Sequence, residues 1–198
     1  LANKINEKDC DTDTLNATKN FIIEHFDFVK IDLENLTLKG ILNSFRELVF
    51  QKGTNICVID PWNMLDHSEQ KDFTYVGRLL SDITQFCQQT NTHLFLVAHP
   101  RKMESVDGHY RVPNPYDISQ SSDFFNKAYN CLTVYRNLGQ TTEYKSDSVS
   151  IYVQKVKRKE NGKQGDFMIA PDFYSGGVYK DINKEMQQIN VQRSNIPF

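Results

Sequence analysis

Two stretches decide how this chain folds: Ile56-Cys57-Val58-Ile59-Asp60, and Leu94-Phe95-Leu96-Val97-Ala98 followed by His99-Pro100. Each is a continuous apolar run that stops on a polar residue. A run without alternation predicts a strand buried on both faces, as in a parallel sheet. Between them, 69–90 places Phe73, Val76, Leu79, Leu80, Ile83 and Phe86 at helical spacing. Strand, helix and strand of these lengths make a βαβ unit with a right-handed crossover. The fold class is α/β.

Working outward, 36–52 reads as a helix. Thr37 is its N-cap, Ile41, Leu42, Phe45, Leu48 and Val49 form its stripe, and Gly53 ends it. A further helix spans 12–26, with Leu15, Phe21, Ile22 and Phe26 roughly on one face and Asp11 or Thr12 as cap. A short strand is expected at 27–31. Downstream, 101–117 is a polar loop carrying Gly108, Pro113 and Pro115, followed by a short helix over 121–127 and a strand over 131–135. The segments 149–157, 166–170 and 178–179 alternate between Gly-rich turns and read as antiparallel hairpins. The domain plan is a frayed or disordered 1–11, an α/β domain over 12–183, and a polar tail over 184–198.

The composition suits one globular domain: 198 residues, 39% hydrophobic and 24% charged. A net charge of -2 excludes a global positive field, so any nucleic-acid contact must be a local patch. Cys10, Cys57, Cys87 and Cys131 lack metal-like spacing and read as reduced thiols of a cytosolic protein. The sequence carries no apolar run long enough to span a membrane and no signal peptide. It opens on Leu1, and is expected to be a piece of a longer polypeptide.

Ligands of open α/β sheets bind at the carboxyl ends of the strands, where Asp60 and His99 stand. An apolar strand closing on Asp is the Walker B pattern, whose carboxylate can hold the water shell of Mg²⁺ beside a nucleotide's phosphates. The blander reading makes Asp60 a turn or cap residue. His99 at the tip of the neighbouring strand could touch a terminal phosphate and report its loss, or be structural.

An ordered string of motifs adds context. It runs Val58-Ile59-Asp60-Pro61-Trp62-Asn63 with Asp66-His67, then Leu96-Val97-Ala98-His99-Pro100-Arg101-Lys102. Val112-Pro113, Asp117-Ile118-Ser119, Asn126-Lys127-Ala128 and Val134-Tyr135-Arg136-Asn137 follow. Val153-Gln154-Lys155-Val156-Lys157 with Gly162 and Gly165 closes it. This order resembles the DnaB-like and Twinkle-like replicative helicases, including phage primase-helicases, over about 12–180. The resemblance implies the C-terminal part of a RecA-like (P-loop NTPase) core: a mostly parallel sheet flanked by helices, with antiparallel hairpins at the end. It implies ATP and Mg²⁺, single-stranded DNA as partner and a hexameric ring, and it admits a primase domain in the same polypeptide.

By the same resemblance Asp60 is the Walker B carboxylate, reaching Mg²⁺ through water, and His99 couples phosphate state to the DNA loop. Arg101, Lys102, Arg111 and Lys127 are DNA-loop cations. Lys155 with Lys157 or Arg158 reaches a neighbouring subunit's ATP. The finger is Lys157, Arg158 with a bulge, or compromised, since one step along a strand turns a side chain to the other face. Composition alone allows an ordinary solvated loop and a solubilising Lys-rich edge.

No Gly-x-x-x-x-Gly-Lys-Ser/Thr occurs in the sequence. In the family that loop and the catalytic glutamate lie upstream of the matched segment, so this chain alone is expected to turn over no ATP. Gln120 and Tyr129 stand where relatives often have Gly and Asp. Two other readings remain: a RecA-fold ATPase of recombination or regulation that does not unwind DNA, and a degenerate binding module. A bacterial or phage protein working in a cytoplasm is the expected setting.

Overall fold

Thr37 and Gly53 frame the best-defined helix. The Thr37 hydroxyl accepts from the Gly40 N–H at 3.2 Å, and Gly53 closes the helix in the left-handed region at φ 71°, where a side chain would be strained. In the computed structural model, the described residues are 11–30, 36–66, 74–106, 109–118, 122–136, 148–172 and 178–181. The chain divides into two units, Leu1–Leu36 and Thr37–Phe198.

The first unit contains α1, Thr12–His25. Asp11 is its cap, accepting from the Thr14 N–H at 3.3 Å and the Thr14 hydroxyl at 3.1 Å. The first of these bonds holds the Asp11 carboxyl below the ordinary carboxylate range. Phe21 stacks on His25 at 4.3 Å. The strand expected at 27–31 does not form over 27–30, which are neither helix nor strand; Ile31 lies outside the described residues. A strand exists through its ladder, and the described part of this unit offers no second strand to pair with.

The second unit opens with α2, Leu38–Lys52, then β1, Ile56–Ile59, α3, Tyr75–Thr90, and β2, His93–Leu96. The β1–β2 pair is parallel, so the βαβ reading holds. Asn91 ends α3 at φ 53°, one of the few residues that tolerate that conformation. The helix stripes meet in the core: Leu38, Ile41, Leu42 and Phe45 of α2, Val76, Leu80, Ile83 and Phe86 of α3, and Cys57 and Ile59 of β1 are all buried. Phe86 is fully enclosed, 6.3 Å from Phe45 between ring centroids.

Burial on both strand faces does not hold among the described residues. Cys57 and Ile59 are buried, whereas Ile56, Val58, Phe95 and Val97 are exposed. The helices cover one face of this two-stranded sheet, so pleat alternation reappears as a burial pattern although the sequence itself is continuously apolar.

Parallel pairing is also less extensive than expected. The loop after β2 carries a small hairpin, β3 (Ser105–Val106) with β4 (His109–Tyr110), and a capped 3-10 turn, Pro115–Asp117. Beyond the short helix α4, Asp123–Lys127, the larger sheet is antiparallel, in the order β5 (Asn130–Arg136), β6 (Val149–Val156), β7 (Gly165–Asp172), β8 (Val178–Asp181). The segments 1–10 and 184–198, expected to be frayed and polar, lie outside the described residues. Among the described residues no helix is long and apolar enough to cross a membrane.

Because Phe86 has no exposed surface, truncating it leaves a cavity where α2 and α3 meet. Phe86→Ala is expected to lower the unfolding free energy by about 3–5 kcal/mol, measured by denaturant titration. A loss below about 1 kcal/mol would show that this core is not as packed as described.

Candidate functional site

The parallel ladder does not stop where the strands do. Val97 donates its N–H to the Ile59 carbonyl at 2.9 Å, and Trp62 donates to the Val97 carbonyl at 2.7 Å. With Ile59 opposite Leu96, Asp60 and His99 emerge at the same, carboxyl end of the two strands. Both are exposed. The turn after Asp60 is anchored by Trp62, 2% exposed and packed edge-on against Phe124 with centroids 5.4 Å apart. Asn63 Oδ1 accepts from the His99 N–H at 3.0 Å, tying the two strand-end loops together.

Among the described residues no cluster of three or more His, Cys, Asp or Glu could hold a metal directly. A single exposed carboxylate at a fixed strand end suits an ion held through its water shell, which is how Mg²⁺ is commonly bound.

The segment leading away from His99 is bolted at both ends. Pro100 bridges to Ile118, and Arg101 donates its N–H to the Asp117 carbonyl at 2.7 Å. Asp117, 2% exposed, accepts from both terminal nitrogens of Arg111, at 2.7 and 2.5 Å, and from the Asn114 N–H at 2.8 Å. The Arg101 guanidinium lies 3.9 Å from the same carboxylate. On the other side the Pro113 carbonyl accepts from Thr133 Oγ1 and Gln154 Nε2, and Tyr135 donates its hydroxyl to the Tyr110 carbonyl.

The four expected loop cations therefore separate. Arg101 and Lys102 are both exposed, with the Arg101 guanidinium at the edge of the Asp117 carboxylate. Arg111 is a bidentate partner of Asp117, although its side chain remains half exposed. Lys127 belongs to α4 and donates to the Gly77 carbonyl at 2.7 Å and Ser81 Oγ at 2.6 Å on α3. It lines, with Arg78, Asp82 and Asp123, a cavity of about 630 Å³ whose walls include neither Asp60 nor His99.

The basic hairpin separates in a similar way. The Lys155 ammonium donates to the Phe125 carbonyl and, at 3.2 Å, to the Asn126 carbonyl, closing the end of α4. The Lys157 ammonium sits over the Tyr129 ring, 4.1 Å from its centroid, a cation–π contact that an Asp at that position could not make. Arg158 is exposed; its carbonyl accepts from the Asn161 N–H at 3.0 Å, while its guanidinium makes no hydrogen bond or ion pair among the described residues. The β5–β6 register shifts between Cys131 and Leu132, placing a bulge at Gln154, upstream of both finger candidates. It therefore reorients Lys157 and Arg158 together and does not choose between them.

Asn63 and Asp117 lie inside the quoted motifs, yet their roles were not readable there. A bond spanning 36 residues leaves no mark in local sequence.

Arg111's two hydrogen bonds hold the Asp117 carboxyl below the ordinary carboxylate range; burial opposes them, and the Asn114 N–H and the nearby charges of Arg111 and Arg101 reinforce them. A depressed folded value means the stabilisation is complete above the unfolded value, about 3.9, and is lost as pH falls through the lower folded value. Protection of the Arg101 and Asn114 amides, corrected for intrinsic exchange, is expected to be flat from about pH 5 to 8 and to fall below about pH 4. Asp117→Asn should remove that acid step. A step near neutrality would contradict this assignment.

No family model matches the chain. Over 167 residues it is 34% identical to the Twinkle homolog protein, chloroplastic/mitochondrial, of Arabidopsis thaliana, a match that takes in 82% of this chain and 23% of that protein. The chain thus spans under a quarter of that relative's length. Its fold is similar to that of a DnaB-like replicative helicase whose structure was described with its interactions with primase. The TM-score is 0.63 at 13% identity, covering 86% of this chain and 42% of that one. The structural likeness bears on the fold, and the sequence identity, with the ordered motifs, on kinship. The chain is Twinkle-like in sequence and DnaB-like in fold, and it corresponds to part of the length of each of those proteins.

Proposed function

We propose that this chain is the C-terminal part of the ATPase core of an ATP-dependent replicative DNA helicase. In this reading a longer polypeptide carries the phosphate-binding loop, the sheet is completed as a mostly parallel RecA-like sheet flanked by helices, and subunits close into a hexameric ring around single-stranded DNA. The supporting observation is the parallel ladder that brings Asp60 and His99 to one strand end, with a braced cationic loop leading directly from His99.

Each residue then has a defined task. Asp60 orients the waters of a nucleotide-bound cation, and Mg²⁺, when bound, offsets the charge of the phosphate oxygens. His99 donates to or accepts from the terminal phosphate, and its main chain passes straight into Arg101 and Lys102. In this reading these two exposed cations meet a DNA backbone and hold it without sequence preference. Arg111 supports the loop through Asp117. Arg158 is the cation left to reach a neighbouring subunit, where a planar guanidinium matches a phosphoryl group better than an ammonium does. Lys155 and Lys157 position the hairpin that carries it. The polar cavity beside Lys127 has no assigned part in this scheme.

The pairing of Arg111 and Lys127 favours one competing reading, a RecA-fold ATPase that does not translocate on DNA, because it leaves few free loop cations. The two are separated in the longer protein. Asp60→Ala should cut ATP turnover at least about 100-fold, the scale of losing one preorganised electrostatic group. Arg101→Ala with Lys102→Ala should spare basal turnover and lower the salt slope of single-strand binding by about 0.7 per lost phosphate contact. Unchanged DNA stimulation in the double variant would favour the non-translocating ATPase. This chain alone is expected to show no Mg-dependent turnover.

A further inference from the structure

The main chain from His99 to Arg101 is held from two sides within three residues. On one side Asn63 Oδ1 accepts the His99 N–H at 3.0 Å. On the other, Pro100 bridges Ile118 and the Arg101 N–H donates to the Asp117 carbonyl at 2.7 Å. Both clamps are themselves fixed. Asn63 sits in the single 3-10 turn Trp62–Met64, whose Trp62 is buried against Phe124 and bonded to the Val97 carbonyl. Asp117 carries the Arg111 pair and the Asn114 cap. Without the Asn63 bond, a displacement of the Asp60 turn could dissipate in the exposed His99 backbone. With it, the same displacement must carry 99–101 along, and with it the far end of the cationic loop.

We infer that Asn63 is a positioning residue that locks the His99 main chain to the Asp60 turn, so that movement at the nucleotide end reaches Arg101, Lys102 and the Asp117–Arg111 brace. The inference rests on the proposed reading of Asp60 and His99 as nucleotide-facing. Asn63 needs to touch neither nucleotide nor DNA. Its contribution is a single acceptor oxygen, which an aspartate also offers and a leucine of similar size does not.

That difference makes the test. In the longer protein, Asn63→Leu should reduce the stimulation of ATP turnover by single-stranded DNA up to about tenfold, the scale of one hydrogen bond. It should leave the KM for ATP and the melting temperature essentially unchanged, and the His99 amide should exchange faster with solvent by a similar factor. Asn63→Asp should retain both the stimulation and the slow exchange. The inference is overturned if the leucine variant keeps full stimulation, if the aspartate variant fails as the leucine variant does, or if the loss comes with a raised KM or lowered melting temperature. A wild-type protein without DNA-stimulated turnover would remove the functional reading instead. In that case unchanged His99 exchange in Asn63→Leu would overturn the clamp by itself, and accelerated exchange would uphold it.

Discussion

The whole arrangement depends on the parallel ladder between β1 and β2 and on its continuation past the strand ends. Ile56 to Ile59 pair with His93 to Leu96. The bonds from Val97 to Ile59 and from Trp62 to Val97 extend that register into the loops. Backbone groups taken from water must find partners, so a shift in this register would break these bonds one after another. That constraint fixes where a carboxylate and an imidazole can emerge. It is satisfied on the face where Cys57 and Ile59 are buried, beside a core in which Phe45 of α2 meets Phe86 of α3.

A second layer of polar contacts converts this end into a connected unit. Asp117 is nearly enclosed yet charged, a placement that is costly unless every lone pair is used. Arg111, Asn114 and the loop geometry use them. The outcome is a loop that is exposed at Arg101 and Lys102 and tied down where it meets Asp117 and Ile118.

Much of this was legible in the sequence, and the reasons are local. Thr37 and Gly53 delimit α2 because caps are decided by neighbouring residues. The runs ending in Asp60 and His99 gave the βαβ unit because strand length and apolar content are also local. Burial was harder. Val58 and Phe95 belong to continuous apolar runs, but their exposure depends on which elements cover the sheet. The fate of the basic residues was least legible. Lys127, Lys155 and Lys157 look alike in sequence to Lys102, yet they end on a helix carbonyl, a helix terminus and an aromatic ring. Those partners lie 28 to 50 residues away or on another element, and composition does not encode them.

The central claim is that Asp60 and His99 flank one nucleotide end. It is tested most directly by paramagnetic relaxation in the longer protein, loaded with Mn²⁺ and a non-hydrolysable ATP analogue and carrying labelled histidine. His93 at the opposite end of β2 is an internal control about 20 Å away at about 3.3 Å per residue. The account predicts strong broadening of the His99 ring with His93 little affected. Equal broadening of the two, or broadening of His93 alone, would contradict it.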